Sequence, residues 1–212
     1  MVNEVSRSAY SRRAAEYIEL LGSMTAMHPS DRQIVTTWAD QVDGEIVDAG
    51  CGPGHWTNLL VERGRRARGV DLVPEFIAHA KRSYPGVDFA VGSLDSLDAE
   101  TGSVAAILAW FSLIHYEPDA VGAPLREFAR ALEPGGSLLV GFFEGAVVEQ
   151  FAHAVTPAYR WPVDDLAAEL SAAGFDVVES RVRKVAGQRP VAARRSLTAP
   201  WRRPDRVCTV ST

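Results

Sequence analysis

The chain has 212 residues, 47% hydrophobic and 23% charged, with a formal charge of -5 at neutral pH. That is the size and make-up of one domain with a single buried core, too short for two ordinary domains and a linker. The balance argues against a protein held to nucleic acid by a clustered basic excess, because the arginines are scattered among Asp and Glu. The two short basic runs, at Arg63, Arg65, Arg66 and Arg68 and at Arg194, Arg195, Arg202, Arg203 and Arg206, read as solvated surface charge. Cys51 falls in a glycine turn and Cys208 in a polar tail, which gives neither a disulfide framework nor a metal cluster, so no metal is expected. The segment MVNEVSRSAYSRRAAEYIELL has no continuous apolar run, and no later stretch reaches the roughly 20 apolar residues of a membrane span. A cytoplasmic protein with no membrane or nucleic-acid partner is expected.

In chain order, apolar residues at helical spacing predict a helix over 8–21, and a second over 30–42 with Ser30 as its N-cap. Glu45 to Ala49 is a short apolar strand that runs into Gly50, and Trp56 to Arg63 reads as a helix. Arg66 to Leu72 is a second strand, followed by a helix that Pro74 opens and that runs to Ser83. Val87 to Val91 and Val104 to Trp110 are strands three and four. Leu125 to Leu132 is a helix, and the turn Pro134-Gly135-Gly136 leads to a fifth strand over Ser137 to Phe143. After an insertion over 144–162 come a helix over Val163 to Ala173, stopped by Gly174, a strand over Phe175 to Arg183, and a short strand near Val191 to Arg194. Such alternation predicts a doubly wound α/β domain with a mostly parallel sheet and helices on both faces. The tail over 196–212 has no periodicity and is expected to be poorly ordered, leaving one domain over 1–195.

In an open parallel sheet, ligands bind beyond the carboxyl ends of the strands, where the strand order reverses. The first strand ends in IVDAGCGPG, with Gly50, Gly52 and Gly54 at alternate positions around Cys51. Glycines there permit positive φ and let a ligand approach the backbone, while the next helix offers free N–H groups. A dinucleotide turn, G-x-G-x-x-G, needs a glycine at position 55, where this chain has His55. Asp48, at the strand end, suits a ligand's ammonium group better than a pyrophosphate, which would bring like charges together. Asp71 ends the second strand about 20 residues on, as a carboxylate accepting ribose hydroxyls does; its other reading is a cap for the helix at Pro74.

These residues resemble the class I S-adenosylmethionine-dependent methyltransferases, particularly the small-molecule bacterial type that includes ubiquinone-biosynthesis enzymes. The resemblance spans roughly Tyr10 to Arg183. Beyond IVDAGCGPG and Asp71, VGSLDSL is similar to the family's third-strand segment, AWFSLIHY to its fourth-strand end, LEPGGSLLV to the entry of its fifth strand, and AAELSAAGFDVVES to its last helix and strand. The resemblance implies a Rossmann-like, seven-stranded, mostly parallel sheet and S-adenosyl-L-methionine as cofactor. It also implies a methionine portion touching the backbone at Ala109, a ribose held by Asp71 beside Leu72, and adenine near Ser93, Leu94 or Asp95. The family's acidic residue after the glycine equivalent to Gly92 is Ser93 here. Tyr10 and Tyr17, seven apart on one helical face, either cover the cofactor or pack the core.

Methyl transfer from a sulfonium is an in-line displacement that chiefly requires alignment and exclusion of water. If a proton must leave, His115 is the base candidate. The acceptor wall is expected from the N-terminal helices, Phe111, and an insertion containing Phe151, His153, Tyr159, Arg160 and Trp161, which fits a small apolar or anionic acceptor. A monomer or homodimer is expected. Two other classes stay open: a nicotinamide-dependent oxidoreductase, and a noncatalytic regulatory protein that binds S-adenosylmethionine.

Overall fold

The computed structural model describes residues 2–181 and 209–211. The strands are β1 (Glu45–Ala49), β2 (Arg66–Asp71), β3 (Asp88–Val91), β4 (Val104–Trp110), β5 (Leu132–Glu144), β6 (Glu149–Phe151), β7 (Ala158–Trp161), β8 (Ser180–Arg181) and β9 (Thr209–Ser211). The helices are α1 (Val2–Arg12), α2 (Ala14–Leu21), α3 (Pro29–Ala39), α4 (His55–Glu62), α5 (Pro74–Ser83), α6 (Gly122–Ala131) and α7 (Val163–Ala172). The main path across the sheet is β3-β2-β1-β4-β5-β7-β6, with β9 joined to β5 and β8. All these pairings are parallel except that of β6 with β7. The doubly wound α/β architecture is therefore present.

The two central strands show why. In β4, Val104 to Ala109 are all buried, and in β1 only Glu45 at the entrance is not. Continuous apolar runs of this kind are covered on both faces, which only crossover helices can do in a parallel sheet. The chain moves outward from β1 through β2 to β3, then returns to β4 on the other side of β1. The strand order reverses between β1 and β4, and the carboxyl ends of these strands are where sheets of this kind take their ligands.

Four expectations change in detail. The first helix breaks at Arg13 into α1 and α2; there the backbone leaves the helical region while the guanidinium reaches Glu16 and the Ala154 carbonyl. The next helix begins at Pro29 and is capped by the His28 side chain, which accepts from Ser30 N, so Ser30 is not the cap. The insertion over 144–162 folds into the β6–β7 hairpin, and β7 continues the sheet from the end of β5. Phe175 to Glu179 is not strand: Gly174, at φ +94°, turns the chain so that Phe175 N bonds Leu170 O and its ring enters the core, leaving strand only at Ser180–Arg181. The strand expected near Val191 and the Arg194–Arg206 run lie outside the described residues, as does most of the 196–212 tail. Thr209–Ser211, at the far end of that tail, form β9 against β5.

Candidate functional site

The glycine turn is held rigidly at the end of β1. Gly50 N and Cys51 N both donate to Val70 O of β2, at 2.7 and 3.1 Å, and Gly54 N donates to Cys51 O at 3.0 Å. Its outer glycines serve packing as well as conformation. Gly54 has φ +88°, and a Cβ there would lie 2.7 Å from the Ala80 methyl and from the Phe89 ring. One on Gly50 would lie 2.2 Å from Ser112 Cβ. Gly52 differs: it too has positive φ, yet a Cβ would meet nothing within 4 Å. The turn thus presents bare backbone to an open face, the condition for a ligand's close approach.

Asp71 closes this face. Its Oδ2 accepts from Gly52 N and its Oδ1 from Val73 N, each at 2.8 Å. The N-cap of α5 is Val73, with no side-chain capping bond, so Asp71 ties the turn to the end of β2 and is not the helix cap. The carboxylate's four lone pairs are not all taken by these N–H groups, which leaves acceptor capacity for a ligand hydroxyl. Burial pushes the carboxyl up to about 6 against the pull of these backbone N–H groups. Asp48 lies deeper, 1% exposed, accepting from Thr57 Oγ1 at 2.6 Å. Desolvation drives it up to about 7, with Thr57 opposing and Asp71 adding. Cys51 faces away, its thiol packed with Ile77, Ala80 and Phe89, so only its backbone is available to a ligand.

After β3, Ser93 bridges Ser96, and its hydroxyl accepts from Asp95 N at 3.2 Å. Asp95 accepts from Tyr116 OH at 3.0 Å, while Leu94 is drawn into the main core. Leu72 follows Asp71, half-buried. Ala109 is fully buried in β4, in register with Val140. Two residues later Phe111 has φ +57°, the one non-glycine among the described residues in the left-handed region. Such a conformation costs about 1–2 kcal/mol for an L-residue. It is locked by Phe111 N donating to Gly141 O, with the ring lying over the bare Cα of Gly141.

From Phe111 a chain of ring contacts runs through Phe143 to Phe151 and His153, and on to His115, Tyr10, Tyr17 and Phe76, with successive centroids 5.1–6.2 Å apart. Five distant segments are joined here: α1 and α2, the β4 end, the end of β5, the β6–β7 hairpin and α5. At their centre, Tyr10 Oη lies 2.8 Å from His115 Nε2, and His115 Nδ1 lies 2.9 Å from Pro157 O. A carbonyl can only accept, so Nδ1 carries the proton and Nε2 accepts from Tyr10. Burial lowers His115 to about 4 and raises Tyr10, whose phenol stays neutral; Tyr17 is pushed up to about 12, again chiefly by burial. His115 is therefore a neutral imidazole with a single lone pair, already partnered, a weaker base than its type alone suggests.

The hairpin residues divide. Tyr159 is half-buried, its hydroxyl bonded by Gln150, and Arg160 lies over the Phe151 ring at 4.3 Å while reaching Glu149. Trp161, expected on the acceptor wall, is 5% exposed and part of the main core, at the end of β7 where that strand pairs with Glu144 of β5. Sequence reasoning also passed over Thr57, Ser112 and Tyr116, none of which stands in a local pattern; only the fold brings them to Asp48, Gly50 and Asp95. Among the described residues no group of three His, Cys, Asp or Glu side chains could hold a metal, and no helix is long and apolar enough to cross a membrane.

Residues 46–136 match the family model described as a methyltransferase domain. Over 120 residues the chain is 32% identical to the ubiquinone biosynthesis O-methyltransferase of Xanthomonas oryzae pv. oryzae, covering 54% of this chain and 49% of that protein. Over 101 residues it is 40% identical to the trans-aconitate 2-methyltransferase of Methylobacterium nodulans, covering 45% and 36%. The chain thus spans about half or less of the length of these relatives. Among solved structures, it superposes on the 1,6-didemethyltoxoflavin-N1-methyltransferase of Burkholderia thailandensis, bound there to 1,6-didemethyltoxoflavin and S-adenosylhomocysteine. The TM-score is 0.68 at 27% identity, over 84% of this chain and 80% of that one.

Proposed function

We propose that the chain, whose residues 46–136 match the methyltransferase-domain model, is an S-adenosylmethionine-dependent methyltransferase acting on a small-molecule acceptor. The observation that carries this reading is the open face of Gly52 bounded by Asp71: bare backbone and a twice-anchored carboxylate at the end of β2. Ribose hydroxyls would donate to the lone pairs left on Asp71, and the ammonium group would lie toward Asp48. Adenine would lie at Ser93 to Asp95, the methionine chain along the backbone after Ala109, and Tyr17 over the ribose side. The relatives' names, for a quinone-pathway compound, an aconitate and a toxoflavin precursor, support a small organic acceptor. A cytoplasmic setting fits the free, buried Cys51 thiol; a monomer or homodimer that binds no nucleic acid completes the proposal.

Bound S-adenosylmethionine supplies an electrophilic methyl group. The protein's part is alignment and exclusion of water by the ring-lined crevice from Phe111 to Tyr10, with Tyr159 and Arg160 at its rim. Where the acceptor must lose a proton, His115 and Tyr10 act as one unit: Tyr10 takes the acceptor's proton on its oxygen while passing its own to His115 Nε2. Such a weak base suits an acceptor that is acidic, or that arrives already as an anion. The test is a thermal shift: S-adenosylmethionine and S-adenosylhomocysteine should raise the melting temperature and nicotinamide dinucleotides should not. A shift with NAD and none with S-adenosylhomocysteine would overturn the reading.

A further inference from the structure

We propose that His55 is a cofactor-binding residue whose imidazole N–H takes the carboxylate of the amino-acid part of S-adenosylmethionine; the assignment rests on the methyltransferase reading. His55 is the first residue of α4, directly after Gly54, and is 5% exposed. Neither Nδ1 nor Nε2 has a hydrogen-bond partner. The other four histidines each make at least one: His28 with Ser30, His79 with Ser83, His115 with Tyr10 and Pro157, His153 with Val155. A buried donor and acceptor left unmatched are costly, and a side chain that only filled space here would be better apolar.

Position selects the ligand group. Along the sheet order β2, β1, β4, the proposed cofactor contacts would fall in sequence: Asp71 for the ribose, then Asp48 for the ammonium, then the β4 side. His55 opens α4 directly after the turn, and its neighbour Trp56 ties the start of that helix to the β4 end. The His55 ring is 5.9 Å from Trp56, which in turn is 5.5 Å from Trp110 at the end of β4. Ser112, in the same quarter beside Gly50, also has a buried hydroxyl without a partner. What remains of the ligand beyond its ammonium is a carboxylate, and the amino end of α4 favours an anion where Asp48 and Asp71 could not accept one. Burial holds the imidazole near pKa 4, so it is neutral and offers one N–H.

The experiment is calorimetric titration of the full chain and of His55→Leu with three ligands: S-adenosylhomocysteine, decarboxylated S-adenosylmethionine and 5′-methylthioadenosine. Only the first carries the carboxylate. Its affinity should fall about ten- to a hundredfold in the variant, the scale of a charge-assisted hydrogen bond, while the other two stay within about twofold. Equal losses for all three ligands, or no loss for any, would overturn the assignment. Should the wild type bind none of them, the methyltransferase reading falls with it. If His55→Leu does not fold, wild-type protein carrying 15N-histidine gives the answer by NMR: the His55 ring nitrogens should shift with S-adenosylhomocysteine and not with the decarboxylated ligand, and equal shifts would refute the contact.

Discussion

The two halves of the crevice are built by different means. On the β1–β2 side, everything lies within about 25 residues of chain, and the devices are backbone ones: three glycines and a carboxylate fastened by two N–H groups. On the β4–hairpin side, the ring contacts join residues as far apart as Tyr10 and His115, 105 positions along the chain. The first half is rigid once β1, the glycine turn and α4 have formed. The second exists only once the N-terminal helices, the β4 end and the hairpin have all docked. A site of this kind can keep one cofactor and change its acceptor by altering rings and lengths in the second half alone.

The largest effect should come from breaking the second half at its base. Trp161→Ala empties a fully enclosed ring site under the hairpin, and large-to-small changes of that kind cost about 3–5 kcal/mol. Denaturant unfolding should show that loss, and cofactor affinity measured on the folded fraction should be nearly unchanged. A folded, fully stable variant with a raised acceptor KM would return Trp161 to the acceptor wall. Next comes His115→Gln, expected to lower transfer about two to four decades with cofactor affinity intact. Tyr10→Phe should follow it within a decade if the pair acts as a unit. Full rate in both variants would leave alignment as the whole of catalysis, and would make the Tyr10–His115 contact a clasp for α1.

The first half should break differently. Asp71→Asn keeps the shape but weakens ribose recognition, and should reduce affinity for S-adenosylhomocysteine about ten- to a hundredfold. Gly52→Ala and Gly54→Ala sharpen the distinction between ligand space and packing space. Both force an alanine into positive φ, but only the Gly54 substitution drives a methyl into Ala80 and Phe89. Gly54→Ala should lose stability by about 2–4 kcal/mol. Gly52→Ala should lose about 1–2 kcal/mol of stability and, in titration, most of its cofactor binding.

The same division explains what the sequence revealed. IVDAGCGPG and Asp71 could be read because each requirement, a positive φ or a strand-end carboxylate, sits at a fixed chain spacing. The central strands were equally plain, since Val104 to Ala109 has no polar residue to confuse its burial. His115 was visible as a residue type, but not its low basicity, which depends on Pro157 and Tyr10 reaching it from elsewhere. The burial of Trp161 in the main core was not legible, because an aromatic residue near a strand end has the same composition whether it faces the site or the core; the pairing of β7 with β5 sets it. His55 was visible only as the residue that spoils a dinucleotide motif.

The smallest expected effect is a pH dependence that belongs to the first half alone. Asp48 titrates near 7 in the folded protein, raised by burial above its ordinary carboxylate range, with Asp71 near 6 beside it and the Cys51 thiol neutral. A group whose folded pKa is raised stabilises the fold below its unfolded value and loses that contribution as pH rises through the folded value. The ligand-free protein should therefore lose stability between about pH 4 and 7, and Asp48→Asn should remove much of that slope. Binding runs the other way: a ligand ammonium needs the ionised carboxylate, so below pH 7 the protein must release a proton to bind. Affinity for S-adenosylhomocysteine should fall by about tenfold from pH 8 to pH 6, with up to one proton released per site at the lower pH, reported by calorimetry in buffers of different ionisation enthalpy. Since 5′-methylthioadenosine has no ammonium group, its affinity should vary much less over the same range. If the two ligands show the same pH dependence, Asp48 does not meet the ammonium group, and its buried charge serves only the Thr57 hydroxyl and the geometry of the turn.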